Sequence, residues 1–415
     1  MSKAGTPTLA DAVLPLIRTR ADVWRYRTAN EHGVQMHEAV QVLEAAAETE
    51  EPAEVLVVTQ KAIASALKVI MRADDSSGII GDACRALIDL HPQVATRAHP
   101  PPAKLVDWMI RFQFDNECDY FHLDPVAYAP ALGDVGMQAY RKRLAEIEAG
   151  LGPRPSEDDR WSSPHSHEWF TLDYNAQRLA VYDRDIDAII RTHARDHRVA
   201  AWLEDTAEAF EEIGELDLAI DWAQQATDFP GGGHQALKAG EYWCKLLAEH
   251  RPEALLEARL TVFRRWPSSS TAAHLCEDAG AEWPQFRDEV MERLASRPYD
   301  AVMFALLTLE DVQLAWSLAH SLGLEEDRGW HELAKVYEKV DALAVLPVHA
   351  RLVERDLETA GAQNYRYAAR RLAKMRKLAA GTDKADGVDA FIADLREIHR
   401  RRPRLQQEFT RAGLP

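Results

Sequence analysis

The chain has 415 residues, of which 47% are hydrophobic, and a formal net charge of −18. That apolar share is enough for a buried core and excludes an intrinsically disordered chain, while the acidity sets most of the surface against nucleic acid and anionic membranes. The longest apolar runs, such as Ala301 to Leu307 and Val55 to Val58, fall far short of the roughly 18 residues needed to cross a bilayer, so no membrane span is expected.

Met1-Ser2-Lys3-Ala4-Gly5 is followed by no apolar run, which argues against a secretory signal and places the chain in the cytoplasm. The charge is uneven. Residues 351–415 hold fifteen Lys and Arg against nine Asp and Glu, so this tail carries +6 and residues 1–350 carry −24. Cys84, Cys118, Cys244 and Cys276 are more than thirty residues apart and form no CxxC or CxC pair. They read as small buried hydrophobes in a reduced compartment, not as a zinc ribbon or redox dithiol.

In chain order, residues 8–48 predict helices, with Met36, Val40, Leu43 and Ala47 on one face. From Ala53 to Arg72 the apolar residues Val58, Ala62, Ile63, Ala66, Leu67, Ile70 and Met71 recur every three or four positions, the period of one buried helix face. Asp74-Asp75-Ser76-Ser77-Gly78 ends that helix. A second runs from Ile79 to about Leu90, where His91-Pro92 is expected to stop it. The turn His99-Pro100-Pro101-Pro102 precedes a helix from Ala103 to Phe114 whose Leu105, Trp108, Met109 and Phe112 share a face. Gly150 to Pro164, rich in Gly, Pro and Ser, reads as a linker or long loop.

From Trp202 a repeat becomes explicit. Phe210, Gly214, Leu216, Ala219, Trp222, Ala226 and Pro230 follow the spacing of a tetratricopeptide repeat, in which small residues let two helices cross closely and Gly and Pro terminate them. Glu241 to Pro267 repeats the plan, with Ala254 in the place of Ala219, and weaker copies follow at Phe286 to Leu307, Val312 to Leu324 and Trp330 to Leu352. No alternating segment predicts a strand. The expected architecture is an all-α, tetratricopeptide-like solenoid of antiparallel helical hairpins. Its expected divisions are an N-terminal helical block over 1–150, a linker and connecting helix over 151–195, repeats over 196–350 and a basic helical cap over 351–415.

Two segments, Arg72-Ala73-Asp74-Asp75-Ser76-Ser77-Gly78-Ile79-Ile80-Gly81-Asp82 and Phe121-His122-Leu123-Asp124-Pro125-Val126-Ala127-Tyr128-Ala129-Pro130-Ala131-Leu132-Gly133, resemble those of a group of uncharacterised bacterial helical-repeat proteins. The stretch Phe391 to Leu405 is similar to the end of related proteins, some of which carry a SWIM-type zinc finger. The resemblance implies a helical-repeat fold and no known activity. The finger needs a CxC followed by a CxH, and this chain has neither, so zinc and the nucleic-acid role of the finger are not carried over.

Several residue groups invite a chemical reading. Asp74-Asp75-Ser76-Ser77-Gly78 has the composition of a cation or phosphate loop and equally that of a helix cap, and the cap reading is preferred. His165, His167 and Glu168 cluster in the linker, and His193 with His197 stands at i, i+4 on one expected helical face near Asp187 and Asp196. The pair lacks the glutamate of a zinc hydrolase, and Arg195 between the two opposes a cation, so a surface helix is preferred. There is no GxSxG, Walker A or GxGxxG motif. No catalytic residue, metal ligand or cofactor is assigned.

A basic helix, Arg366, Arg370, Arg371, Lys374, Arg376 and Lys377 with Tyr365 and Tyr367 beside it, is followed by Arg400-Arg401-Arg402-Pro403-Arg404. It suits docking on an acidic face of its own chain or of a second copy, or tracking of nucleic-acid phosphates. The preferred function is a non-enzymatic scaffold that binds a protein or peptide in the groove of the solenoid, with Tyr242, Trp243 and Lys245 as groove residues. The alternative is a nucleic-acid-associated accessory protein that acts through the basic C-terminal helices.

Overall fold

The helical periodicity of the sequence is realised throughout. The computed structural model describes residues 8–115, 120–156 and 158–415, and among these there are twenty-one α-helices and no strand. Cys118 lies outside the described residues. Among the described residues no helix is long and apolar enough to cross a membrane. The chain divides into two compact units, the first reaching to Arg198 and including Trp202–Ala219, the second comprising Val199–Ala201 and Ile220–Pro415.

The helices of the first part are α1 (Leu9–Ile17), α2 (Tyr26–Thr49), α3 (Pro52–Ile70), α4 (Ile79–Ala98), α5 (Pro102–Phe114), α6 (Pro125–Leu151), α7 (Ser166–Asp183), α8 (Ile186–Ile189) and α9 (Ala200–Glu212). Neighbours along the chain pack as antiparallel hairpins: α1 on α2, α3 on α4, α5 on α6 and α6 on α7. One continuous core joins α1 to α7, and the apolar face read in α3 supplies Val58, Ala62, Ile63, Ala66 and Leu67 to it. Pro at the first turn of α3, α5 and α6 loses no hydrogen bond there and presets the helical φ.

His91-Pro92 does not end α4, contrary to the expectation from the dipeptide. Pro92 removes one backbone donor, but Val94 and Ala95 beyond it lie on the core face, and their burial carries the helix on to Ala98. The stop comes at His99, whose φ of 46° is left-handed, with Pro100 and Pro101 behind it. Within α6, Gly133 breaks the helix with φ 58° and ψ −178°. The Gly, Pro and Ser-rich stretch after α6 lies within the first unit as a loop, where Arg154 pairs with Asp173 and Glu148 and stacks 4.9 Å over Trp169.

Helix α10 (Leu216–Asp228) spans the division between the units, and α11 (Gly233–His250), α12 (Pro252–Arg265), α13 (Ser269–Ala279), α14 (Arg287–Leu294), α15 (Pro298–Leu307) and α16 (Val312–Ser321) follow. The unit closes with α17 (Asp327–Tyr337), α18 (Leu346–Glu358), α19 (Ala362–Ala379), α20 (Ala385–Ile398) and α21 (Pro403–Arg411). The repeat signature behaves as its spacing requires: Phe210, Ala219 and Ala226 are fully buried, and Gly214 takes φ 78° at the turn. In the next hairpin Ala254 is only half-buried, and the close crossing of α11 and α12 is made elsewhere. A Cβ on Gly240 would meet Val262 at 3.0 Å.

The core of the second unit is a series of local clusters, from Leu260 to Phe304, from Val302 to Leu352 and from Leu346 to Leu414. Each cluster joins helices close in sequence, as a stacked repeat requires.

Candidate functional site

Three consecutive helices of the second unit, α17, α18 and α19, surround a cavity of about 590 Å³. Each helix has an apolar face that fixes which side chains turn toward the cavity. In α17, Trp330, Leu333 and Ala334 are buried, leaving His331 and Lys335, one turn apart, as cavity walls. Helix α18 buries Val348, Leu352 and Val353 and places His349 at the cavity floor. Helix α19 buries Tyr365, Ala368, Ala369, Leu372 and Met375, so Tyr367, Arg370, Arg371 and Lys374 line the third side.

The cavity is positively charged. Arg371 Nε donates to Asp356 Oδ2 at 3.0 Å. Lys374 Nζ lies 2.5 Å from Glu338 Oε2, an ion pair whose angles do not make it a hydrogen bond. Lys335 and Arg370 are exposed and form no ion pair among the described residues. Of these four cations, two are paired with carboxylates and two, Lys335 and Arg370, have none within ion-pair distance among the described residues, with Glu332 as a further acid near His331.

Arg371 Nη1 also lies 3.1 Å from His331 Nδ1. A guanidinium only donates, so this nitrogen accepts and the ring carries its proton on Nε2. Burial, then the charge of Arg371, lowers the pKa of His331. His349 is 2% exposed, and neither ring nitrogen has a hydrogen-bond partner. Burial, then Lys374 and Arg371, brings its pKa down to about 4, so at neutral pH the ring is uncharged, with one N–H and one bare nitrogen. A buried, unpartnered polar ring costs stability unless something fills its valence.

The basic residues read from the sequence separate into tied and free groups. Arg376 pairs with Asp389 at 2.6 Å and donates to Gly413 O, Arg402 donates to Leu357 O at 2.7 Å, and Arg400 pairs with Glu397 at 2.5 Å. Arg366, Lys377 and Arg401 are exposed and make no ion pair among the described residues. Only Arg370, Arg371 and Lys374 of the set meet in the cavity, and Tyr365 is core. His331, Lys335 and His349 were missed. The one legible signal was the i, i+4 pairing of His331 with Lys335 and of Arg370 with Lys374.

The other expected groups resolve locally. Trp243 is 8% exposed with its Nε1 unpartnered, which makes it a core residue and corrects its reading as a groove aromatic. Tyr242 is half-buried and Lys245 exposed. Burial pushes the neighbouring Cys244 thiol up to about 11, where it is inert. Asp75 caps α4, its two carboxylate oxygens accepting from Ile80 N at 2.9 Å and Gly81 N at 2.8 Å, and Asp74 accepts from Ser76. His165 lies 3.4 Å from Glu168, and His167 Nε2 donates to Gln113 O at 2.9 Å.

His193 and His197 do not share a helical face. His193 sits in a π-helical turn with Nδ1 3.1 Å from Ile189 O, and the helix ends at Arg195, where φ is 50°, before His197 takes φ 58°. Burial lowers His193 to about 4.

A model of the family of unknown function DUF6880 matches residues 17–405. No curated protein matches the chain. Among solved structures, the chain is similar to a circular tandem repeat protein with novel repeat topology and enhanced subunit contact surfaces. The identity is 13% over 97% of this chain and 95% of that one, with a TM-score of 0.16.

Proposed function

We propose that this chain, which belongs to the DUF6880 family, is a non-enzymatic binding scaffold that captures an acidic segment of a partner protein in the basic cavity of its second unit. The observation that carries this reading is the charge imbalance. In a chain of net charge −18, Lys335 and Arg370 stand without acidic partners at a cavity large enough for several side chains. Uncompensated cations on a concave surface attract and orient an anionic ligand from a distance and exclude basic ones. The alternative of nucleic-acid tracking draws less support. Arg371, Lys374, Arg376 and Arg402, which a phosphate backbone would engage, are already held by acids or carbonyls of the same unit.

The test is fluorescence anisotropy with a labelled hexaglutamate peptide at low and moderate salt. It uses the full chain, a Lys335→Glu/Arg370→Glu variant, and an Arg401→Glu/Arg404→Glu control of equal charge change. The cavity variant is expected to lose at least about tenfold in affinity and the control less than about twofold. Equal losses in the two variants, or no binding by the wild type at low salt, would refute the reading. Tighter binding of an oligothymidylate than of the peptide, lost in the Arg401/Arg404 variant, would establish the alternative.

A further inference from the structure

We infer, resting on the reading above, that the anion seated at the floor of the cavity is a phosphate monoester, so that the captured segment is a phosphorylated one. Three features of the site favour a phosphoryl group over a carboxylate.

The first is direction. Donors approach from three helices: His331 and Lys335 from α17, His349 from α18, and Arg370 from α19. A carboxylate presents two oxygens in one plane and is saturated by a single guanidinium fork. A phosphoryl group presents three terminal oxygens around a tetrahedral centre, and these can accept from three sides at once.

The second is charge. Lys335 and Arg370, the two cations without an ion-pair partner among the described residues, can both engage a group that carries about −1.5 to −2 at neutral pH, whereas a lone carboxylate or a phosphodiester carries only −1.

The third is His349. Its ring is 98% removed from solvent and lines the cavity, and among the described residues neither nitrogen has a hydrogen-bond partner. An imidazole N–H at the bottom of a basic cavity, where the arginine and lysine heads approach from the walls, is placed to receive the innermost oxygen of a seated anion. The half-exposed ring of Tyr367 flanks the mouth, where its hydroxyl accepts from Gln363 Nε2 at 2.6 Å and keeps its own proton to donate. The volume of about 590 Å³ accommodates the phosphoryl group together with the side chain that bears it.

The experiment compares three labelled peptides that are identical except at one site: one carrying phosphoserine, one carrying Glu-Glu, which matches its charge, and one carrying Ser. Binding to the full chain is read by anisotropy. The phosphoserine peptide is expected to bind about tenfold more tightly than the Glu-Glu peptide, the worth of one further charge-assisted hydrogen bond, and the Ser peptide far more weakly than either. His349→Leu is expected to abolish the preference for phosphoserine over Glu-Glu, and His349→Gln, which retains an N–H, to restore part of it. Circular dichroism confirms that both variants fold. Equal affinity of the wild type for the phosphoserine and Glu-Glu peptides would overturn the inference and leave the acidic-segment reading standing. Binding of neither would overturn both. An unchanged preference in His349→Leu would remove His349 from the site, and displacement of the phosphoserine peptide by oligothymidylate but not by inorganic phosphate would make the ligand a nucleic acid.

Discussion

Replacing His91 with Leu should flatten the acid sensitivity of the first unit by an amount that follows from the structure. His91 is fully buried where α3, α4, α5 and α6 meet. Its ring stacks on Trp108 at 3.9 Å, its Nε2 lies 3.1 Å from Gln60 Nε2, and its Nδ1 lies 2.9 Å from the Tyr128 hydroxyl. The Gln60 amide nitrogen only donates, so Nε2 accepts and the proton sits on Nδ1, which donates to Tyr128. Burial lowers the pKa of His91 to about 3, against 6.5 for an exposed histidine. Between those values the unfolded chain binds a proton that the folded chain refuses. Stability is therefore complete above 6.5 and declines as the pH falls toward 3. At about pH 4.5 the linkage amounts to about 2.7 kcal/mol, two pH units at 1.36 kcal/mol each.

The assay is urea unfolding followed by tryptophan fluorescence, at about pH 7.5 and about pH 4.5, on the wild type and His91→Leu. The variant also loses about 1–3 kcal/mol at both pH values, because Tyr128 and Gln60 are left without a partner, and this offset cancels in the comparison. His193 and His349, both lowered to about 4, titrate alike in the two proteins and cancel as well. The wild type should lose about 2.7 kcal/mol more than the variant on acidification. An identical pH dependence in the two proteins would show that folded His91 takes up its proton without penalty, and the reasoning from burial would fail.

Tyr140→Phe tests a closed buried network in which the Tyr140 hydroxyl donates to Asn175 Oδ1 at 2.6 Å and accepts from Gln113 Nε2 at 2.7 Å, while Asn175 Nδ2 donates to Gln113 Oε1 at 2.9 Å. Loss of the hydroxyl leaves Asn175 Oδ1 buried and unpaired, and about 2–3 kcal/mol of stability should disappear in chemical denaturation, with a loss below about 0.5 kcal/mol contradicting the network. Gly133→Ala should destabilise the first unit by about 1–3 kcal/mol although space is open around the new methyl, because φ 58° with ψ −178° is a conformation reserved for glycine. A neutral effect in the same assay would mean that the break in α6 relaxes.

Much of the fold was legible because helix periodicity is a local property. Val58, Ala62, Ile63, Ala66 and Leu67 had to share one face of a 3.6-residue helix, and that face is buried in α3. Gly214 could be assigned to a turn and Ala219 to a buried helix face for the same reason. Failures of the sequence reading arose where a neighbouring element overrode a local rule. Pro92 reads as a stop, yet core burial beyond it extends α4. His193 and His197 read as one face, yet the chain turns left-handed between them. Trp243 reads as an exposed aromatic, yet it packs into the core.

The cavity shows the same division. That α19 is basic is written in consecutive residues, but which of its cations are spent is not. Asp356 of α18 takes Arg371, Glu338 just beyond α17 takes Lys374 and Asp389 of α20 takes Arg376. His331 is marked only by its i, i+4 spacing to Lys335, and His349 stands in a separate helix with nothing in its own neighbourhood to mark it. Only the packing of α17 on α18 and of α18 on α19 brings His331, His349 and Arg370 to one cavity, because the charge and valence of a cavity are set by side chains distant in sequence whose positions are fixed by the apolar faces on the opposite sides of their helices.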